Sequence, residues 1–410
     1  MKDIAVVGAG IVGLCTAFFL QKSGNKVTLI DHNQPGSQTS FGHACTFANY
    51  ACMPINSPSI YKQLPSLLLN KNGPLAIDYF YLLKNLPWAF SFLKNCQPKK
   101  VEYIASSLKN LLEYSSSAYD EIFNEIDVSQ YIKNNETLYL YNNEKDYNLD
   151  KYSIDLRKKI GVDLEELDRN SIKKLEPKII PNYFKGILFK GSKYTTNPIK
   201  ISQKIFKAFL EKGGLFLNQK FEKINENENT IDVFFGDHVS SFDKIVICAG
   251  AWSKKIASMF GDNFPLDTER GYHVLFNTNE KLINRSVGCS HSGFYLIQTE
   301  DGLRAAGTVE IAGLNKKPNT KRLKMIEREA RKLLPNLNEV ISTWIGFRPT
   351  LPDSMPIIGQ SSKNKKIYYA FGHQHIGWTS AGITGKVIQY ILEEKKPNFD
   401  ISPFNPQRFD

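Results

Sequence analysis

The chain has few cysteines, and they form no recognisable pair. Six cysteines are scattered over 410 residues, without a CxxC motif or the clustered spacing of a zinc site. We therefore expect neither a disulfide framework nor a bound metal, and we expect the reducing cytoplasm as the location.

Long apolar runs are also lacking. No uninterrupted run approaches the roughly 20 residues that cross a bilayer, so we expect no membrane-spanning segment. The stretch from Ile4 to Leu20 is apolar enough to resemble a signal peptide. However, Gly8, Gly10 and Gly13 interrupt it and only Lys2 precedes it, which argues against secretion.

The net charge is +11, but the lysines form no long basic block and alternate with Asn, Asp and Glu. This pattern is typical of a solvated surface, and we expect no nucleic-acid partner. Peripheral contact with the anionic inner face of the plasma membrane is compatible with the charge but not required by it. With 42% hydrophobic residues and this length, a globular protein of two domains is the default.

The first thirty residues predict a βαβ unit. Ile4 to Val7 is a short apolar strand, Gly8 begins a turn, and Ile11 to Leu20 has the length of a helix packed on a sheet. Gly24 ends the helix, and Lys26 to Ile30 returns as a parallel strand.

This unit carries the GxGxxG motif of dinucleotide-binding folds. Gly8 permits the turn, Gly10 lets the backbone approach a pyrophosphate, and Gly13 lets the helix lie close to the sheet. The N-terminus of the helix offers free N–H groups to the phosphates. Asp31, at the end of the second strand, is suited to accept hydrogen bonds from ribose hydroxyls. The motif alone does not distinguish FAD from NAD.

The later sequence predicts a second domain and a return to the first. Between Pro54 and Asn148 the helical stretches are amphipathic and rich in Tyr, Leu and Lys. Lys244 to Ala249 is a buried strand that leads into Gly250, which suits close approach to a cofactor. Tyr272 to Phe276 and Phe294 to Thr299 alternate like strands of an antiparallel sheet.

Six blocks, in order, give the sequence a resemblance to a known family. They are VVGAGIVGL (6–14), TSFGHA (39–44), LDTERGYHV (266–274), GTVEIAG (307–313), GFRPTLPDSMPIIG (346–359) and GHQHIGWTSAGITG (372–385). The chain resembles the D-amino acid oxidase superfamily of flavoproteins over nearly its whole length, and within it the catalytic subunits of bacterial D-amino acid dehydrogenases. The resemblance implies FAD as the cofactor.

The implied fold class is α/β, with a Rossmann-like FAD-binding domain and an interleaved α+β substrate (cap) domain built on an antiparallel sheet. We assign residues 1–55, 160–260 and 346–410 to the FAD-binding domain, and 56–159 and 261–345 to the cap.

The resemblance also implies a substrate site. Arg348 stands where relatives such as glycine oxidase place the arginine that holds the substrate carboxylate, and a planar guanidinium suits that task. Tyr295 resembles the family tyrosine that makes a second contact, and Tyr272 is a further candidate. Glycine oxidase has a second arginine where His375 stands, so the second carboxylate contact is open. We expect no side-chain acid or base, because the flavin performs the chemistry.

For the cofactor, the turn from Gly372 to Gly377 is expected to place a helix N-terminus beneath the flavin ring. His43 lies in a context similar to that of dehydrogenases whose flavin is covalently bound to histidine. We expect noncovalent FAD, with a covalent link to His43 as the alternative. The residues expected to contact FAD are Gly8, Gly10, Ile11, Val12, Gly13, Asp31, His32, Thr39, Ser40, His43, Ala249, Gly250, Trp252, Gly346, Gly372, His373, Ile376, Gly377, Trp378 and Thr379.

The implied reaction is removal of a hydride from the carbon next to the amine of a small amino acid, such as D-alanine, giving an imine and then a 2-oxo acid. A dehydrogenase would pass the electrons to a quinone or an electron-transfer protein. The alternatives are an oxidase or dehydrogenase of N-methyl or cyclic amino acids (sarcosine, glycine, hydroxyproline), a flavoprotein acting on tRNA, and a noncatalytic flavin subunit.

Overall fold

A computed structural model describes residues 1–61, 73–236 and 238–410. Its first sheet has six strands, five of them parallel and the sixth, at one edge, antiparallel to its neighbour. In spatial order these strands are Leu215–Leu217, Lys26–Ile30, Asp3–Val7, Lys244–Ile247, Ile367–Phe371 and Ile357–Gln360.

Burial on both faces explains why these apolar segments form a parallel sheet. Ile4, Val6 and Val246 are fully buried. The first helix, Ile11–Lys22, follows the first strand and packs against the C-terminal helix, Gly377–Leu392. The predicted βαβ unit is therefore present at the start of the chain.

The second sheet, the cap sheet, has nine strands and is mostly antiparallel. Eight of them follow one another across the sheet in the order Val340–Thr350, Asp267–Phe276, Gly302–Ile311, Phe294–Thr299, Val287–Cys289, Thr137–Tyr141, Lys185–Phe189 and Leu164–Leu167. The ninth, Leu75–Ile77, pairs with Gly302–Ile311. The predicted fold class, a Rossmann-like domain with a cap built on an antiparallel sheet, is confirmed.

Sheet membership divides the chain differently from the boundaries we expected. Leu164–Leu167 and Lys185–Phe189 lie in the range assigned to the FAD-binding domain, yet they pair in the cap sheet. Strands this short carry too little periodicity to reveal their partner. Residues 62–72, which fall in the expected cap range, lie outside the described residues.

The described residues also form two smaller sheets, each of three strands. One joins Lys223–Glu226, Ile231–Phe235 and His238–Phe242, and the other joins Thr46–Phe47, Lys193–Thr195 and Ile132–Lys133. Further α-helices are Tyr79–Lys84, Leu86–Lys94, Pro98–Glu113, Ser115–Phe123, Glu144–Lys159, Arg169–Leu175, Pro198–Glu211, Ser253–Met259 and Thr320–Leu333. Short 3-10 helices cover Ser129–Tyr131, Gly250–Trp252, Ser402–Phe404 and Pro406–Phe409. None of the helices in the described ranges has the length and apolarity needed to cross a bilayer.

Candidate active site

The GxGxxG turn from Gly8 to Gly13 forms a cradle, and at two of its three glycines a larger residue would clash with the backbone. Gly8 has a φ of +107°, and a Cβ on it would lie 2.5 Å from the Cys248 carbonyl oxygen. A Cβ on Gly13 would lie 1.8 Å from the carbonyl oxygen of Gly8. A Cβ on Gly10 would meet only the Ser40 hydroxyl, at 3.4 Å. Gly10 thus borders open space, which is where a phosphate group would approach.

The first turn of the helix has donors available for that phosphate. The Ile11 N–H donates to Ser40 Oγ at 2.9 Å. Among the described residues, nothing accepts from the N–H groups of Val12 and Gly13. An anion at this helix N-terminus would satisfy these groups and face the positive end of the helix dipole.

Asp31 closes the same turn. Its Oδ2 accepts from the Ala9 N–H and its Oδ1 from the Asn33 N–H, both at 2.8 Å. The carboxylate is partly exposed, and each oxygen keeps acceptor capacity for a ribose hydroxyl. The neighbouring His32 is largely exposed and lies 3.6 Å from Asp31 Oδ1.

The expected cofactor residues of the late turn pack against the strand that carries Arg348. The Gln374 N–H donates to the Pro349 carbonyl at 3.0 Å, and Gly372 has a φ of +85°. His373 is buried and its Nε2 lies 3.0 Å from Thr384 Oγ1. Burial lowers the His373 pKa to about 3, so this imidazole is neutral and structural.

His375 has a different environment. It is exposed at the surface of the late turn, and desolvation, followed by the charges of Arg348 and Arg157, lowers its pKa to about 4. The Gln374 N–H bond to the Pro349 carbonyl places His375 beside the strand of Arg348. We call the region of Arg348 and His375 the candidate substrate site.

Arg348 is partly buried, and its guanidinium makes few contacts with hydrogen-bond acceptors of the described residues. Its Nη1 donates to the Thr308 carbonyl at 2.8 Å, and Thr308 has the unusual φ of +58°. Its other guanidinium nitrogen, Nη2, lies over Gly271, where a Cβ would be 2.5 Å away. Its register partner across the sheet is Glu269, which is buried. Burial lowers the pKa of Arg348 and Glu269 opposes that change.

Tyr295 lies beside Tyr139, a residue that the sequence did not indicate. Their ring centroids are 5.9 Å apart, and the two rings meet over Gly288, where a Cβ would lie 2.3 Å from the Tyr139 ring. Burial raises the Tyr295 pKa well above its usual value, and Tyr50 and Tyr139 raise it further. Tyr295 is therefore a protonated hydrogen-bond donor at neutral pH.

Tyr272 does not face the candidate substrate site. Its hydroxyl donates to Glu310 and accepts from the Asn319 N–H at 3.1 Å, on the side of the helix Thr320–Leu333. Side chains alternate along a strand, so Tyr272 faces away from the side on which Gly271 meets Arg348. Tyr272 supports the cap and is not placed to contact a substrate held by Arg348.

His43 and Trp378 lie side by side, with ring centroids 4.5 Å apart. His43 Nδ1 accepts from the Cys45 N–H at 2.9 Å, whereas His43 Nε2 and Trp378 Nε1 are buried without a partner among the described residues. Burial, then Arg304 and His273, lower the His43 pKa to about 3, so the imidazole is neutral. Because Nδ1 accepts a hydrogen bond, the proton of the neutral ring is on Nε2. Two buried N–H donors without a partner among the described residues thus lie where we expect the flavin ring.

Arg304 is the charged group next to His43, and sequence reasoning missed it. It is buried, donates from Nη1 to the carbonyls of Phe41 (2.9 Å) and His43 (3.3 Å), and has no carboxylate partner among the described residues. A fully buried guanidinium without a counter-ion is costly unless a bound anion compensates it. It is suited to stabilise negative charge near His43.

The other predicted cofactor residues have three kinds of environment. Thr39 and Thr379 use their hydroxyl groups within the protein. Thr39 Oγ1 hydrogen-bonds to the carbonyl and the N–H of Phe347, and Thr379 Oγ1 accepts from the Ala48 N–H at 2.9 Å. Those that border open or partly exposed space are Ala249, Gly250 and Trp252. Gly346 is buried under the Trp344 ring, and Ile376 and Gly377 cap the C-terminal helix.

These observations fit the expected cofactor. The cradle at Gly10 admits a pyrophosphate, Gly250 has no atom within 4 Å of an added Cβ, and the donors of His43 and Trp378 are unsatisfied. FAD would be held by the cradle and Asp31 at one end and by the region of His43 and Trp378 at the other.

The comparisons with known proteins identify the class of protein. The family model of FAD-dependent oxidoreductases named DAO matches residues 3–391. The chain belongs to this family and is an FAD-dependent oxidoreductase that acts on amino acids.

Particular relatives refine this picture. The chain is 33% identical to a D-amino-acid oxidase of Bradyrhizobium diazoefficiens, over 100% of this chain and 99% of the relative. The glycine oxidase structure of Geobacillus kaustophilus matches with a TM-score of 0.76 and 16% identity, over 100% and 99% of the two chains. The L-proline dehydrogenase structure of P. horikoshii matches with a TM-score of 0.74 and 19% identity, over 100% and 97%. These two structures support the fold alone.

Proposed function

We propose that the protein is a dehydrogenase that oxidises the amine of a small amino acid, a D-amino acid such as D-alanine, to an imine and then a 2-oxo acid. The observation that carries the proposal is Arg348, whose guanidinium makes a single hydrogen bond to the described residues and lies on the strand that the turn of His375 contacts. The name of the Bradyrhizobium relative supports a D-amino acid. FAD supplies, at N5, the acceptor for the hydride.

The residues of this chain bind and orient the substrate. Arg348 can hold a carboxylate through two parallel hydrogen bonds, which fixes the direction of the Cα–H bond. Tyr295 offers a hydroxyl donor, and the neutral His375 adds a polar contact without a second charge. None of these groups has to remove a proton, provided that the substrate binds with a neutral amine.

Anaerobic bleaching of the yellow protein tests the proposal. A panel of D-, L-, N-methyl and cyclic amino acids is added, and we expect a D-amino acid to bleach the flavin fastest. Bleaching by sarcosine, glycine or hydroxyproline instead would favour the alternative substrates. Bound FAD that no amino acid bleaches would support a noncatalytic subunit, and salt-sensitive retention of tRNA would support the RNA-acting alternative.

The pH dependence of substrate binding gives a prediction about Glu269. Burial raises its pKa to about 7, which Arg348 partly offsets. As the pH rises from 6 to 8, ionised Glu269 competes with the substrate for Arg348, which adds an increase in KM to the effect that deprotonation of the substrate amine has in every variant. The variant Glu269→Gln should lose this added increase, as steady-state kinetics would reveal. An unchanged pH profile in the variant would contradict the assignment.

The same titration affects stability with a definite sign. The folded-state pKa of Glu269 lies above its ordinary value of 4.5, so the folded protein binds more protons than the unfolded chain between the two values. Its contribution to stability is greatest below pH 4.5 and decreases as the pH rises to about 7. Glu269→Gln should therefore stabilise the protein more at pH 8 than at pH 5.

We propose that FAD is bound noncovalently. The His43 Nδ1 is already used by the Cys45 N–H, so only Nε2 is available for an attachment. Acid precipitation should leave the pellet colourless and release all flavin into the supernatant. A yellow pellet that turns colourless in His43→Ala would show a covalent link instead.

We also propose a quinone or an electron-transfer protein as electron acceptor, so little hydrogen peroxide should form in air. Peripheral membrane association would give access to a quinone. The helices Tyr79–Lys84 and Leu86–Lys94 bury none of their residues, and Phe80 and Phe90 are 82% and 67% exposed. Residues 79–100 contain four lysines and no acid, which suits an anionic surface.

Vesicle flotation tests this association. The holoprotein should float with phosphatidylglycerol vesicles at low salt, and the double variant Phe80→Ser/Phe90→Ser should bind at least about tenfold more weakly, because two exposed apolar anchors are lost. Ile341→Ser, which changes an apolar residue that is 50% exposed elsewhere, serves as the control. Equal flotation of all three proteins would contradict the proposal.

A further inference from the structure

Arg157 is an arginine for which the described residues provide no counter-ion. It lies in the last turn of the helix Glu144–Lys159. Its neighbours Lys158 and Lys159 pair with surface carboxylates, Lys158 with Glu166 at 2.7 Å. In the described part of the chain, no carboxylate lies within 4.0 Å of the Arg157 guanidinium. Its one hydrogen bond, from Nε to the Tyr50 carbonyl, is long at 3.4 Å.

Aromatic rings hold this guanidinium in place. Its Cζ lies 5.4 Å from the centroid of the Phe189 ring, and Phe189 stacks on Tyr50 with centroids 3.9 Å apart and planes 4° apart. The rings position the arginine and provide cation–π attraction, but they do not satisfy its Nη donors. These donors remain available to a ligand.

Arg157 lies over the face of the cap sheet that carries Tyr295. Its contact Phe189 pairs with Thr137, two residues before Tyr139, whose ring lies beside that of Tyr295. Register pairing from Trp344 through His273 and Ala306 to Tyr295 puts Arg348 on this face as well. The face therefore has two cationic groups, and the charges of both also lower the pKa of His375.

The nearby carboxylate on the same helix is already engaged. Asp150 lies two turns before Arg157 and accepts from the Tyr141 hydroxyl at 2.5 Å. A second cation in a desolvated cavity repels a cationic ligand and attracts an anionic one. A substrate with two carboxylates would compensate both arginines.

We propose that Arg157 binds a carboxylate in the side chain of the substrate, so that the enzyme prefers acidic amino acids over their amides. The inference rests on the proposed function, in which Arg348 holds the α-carboxylate, and it makes an acidic amino acid, in place of D-alanine, the preferred substrate. The two arginines then have different roles. Arg348 binds the α-carboxylate and so positions the reacting carbon, and Arg157 binds the side-chain carboxylate and so determines which substrates are preferred.

Kinetics of acid and amide pairs test this assignment. For the FAD-loaded enzyme, kcat/KM is measured for aspartate against asparagine and glutamate against glutamine, in both D and L forms. The better acid should exceed its amide by about 100-fold, since hydrogen bonds to charged groups contribute about 1.5–3 kcal/mol each. Arg157→Leu should bring this ratio close to one, and Arg157→Lys should retain part of it.

Two further variants separate selectivity from a structural role. Lys158→Leu removes a charge from the same turn of the helix and should leave the acid-to-amide ratio unchanged. Arg157→Glu should invert the preference towards lysine or ornithine. The assignment is overturned if Arg157→Leu lowers kcat/KM equally for acids and amides, or if the wild type shows no preference for acids. Failure of every amino acid to bleach the flavin would instead overturn the proposed function.

Discussion

Replacing Arg348 by leucine is expected to reduce kcat/KM for the best amino acid about a thousandfold, since the loss of a buried charge-assisted pair costs about 4 kcal/mol. The guanidinium is available for this contact because its own hydrogen bond, to the Thr308 carbonyl at 2.8 Å, uses only Nη1. Arg348→Lys keeps the charge but loses the two parallel bonds, so it should fall between leucine and the wild type. Steady-state kinetics over a range of substrate concentrations measures both effects.

A substrate control makes this prediction specific. The amide of the same amino acid has no carboxylate, so Arg348→Leu should affect its turnover far less than that of the acid. The FAD content, read from the visible spectrum, should be unchanged, because the Arg348 guanidinium donates to the Thr308 carbonyl and to no residue of the cradle at Gly10. Activity within a few fold of the wild type, or an equal loss for acid and amide, would remove Arg348 from the site.

Local rules made part of this site predictable from the sequence. Gly8, Gly10 and Gly13 have steric roles within one turn, so their spacing alone indicates the cradle. Arg348 and His375 were indicated by blocks that resemble a family. The Gln374 N–H bond to the Pro349 carbonyl shows why these two blocks meet: it ties the late turn to the strand of Arg348.

Residues that meet only through tertiary pairing gave no such signal. Tyr139 and Tyr295 converge because the strand Val287–Cys289 separates theirs and places Gly288 beneath both rings. In the sequence, Arg157 is one of three consecutive basic residues, and only the packing of its helix distinguishes it from the lysines. For Tyr272 the sequence indicated a substrate contact that the structure does not support. Its motif suggests the substrate site, but strand alternation turns its side chain towards Glu310.

Substitution of Gly10 by alanine should weaken FAD binding about 100-fold while leaving the apoprotein stable. An added Cβ meets no protein atom nearer than Ser40 Oγ at 3.4 Å, and the φ of −68° suits any residue. The methyl group instead occupies the space through which the pyrophosphate approaches the free N–H groups of Val12 and Gly13. Loss of about two hydrogen bonds to a charged group costs about 3 kcal/mol, and fluorescence titration of the apoprotein with FAD measures this change.

Gly13→Ala is the informative comparison, because its Cβ would lie 1.8 Å from the Gly8 carbonyl oxygen. That variant should lose both cofactor binding and thermal stability, since the turn itself must move. Gly161→Ala provides a control: it has a φ of +79°, lies far from the cradle in sequence and has no atom within 4 Å of an added Cβ. It should lose about 1 kcal/mol of stability through backbone strain and bind FAD normally. If Gly10→Ala binds FAD as tightly as the wild type, the pyrophosphate does not approach the chain at Gly10, and the cradle must be reassigned.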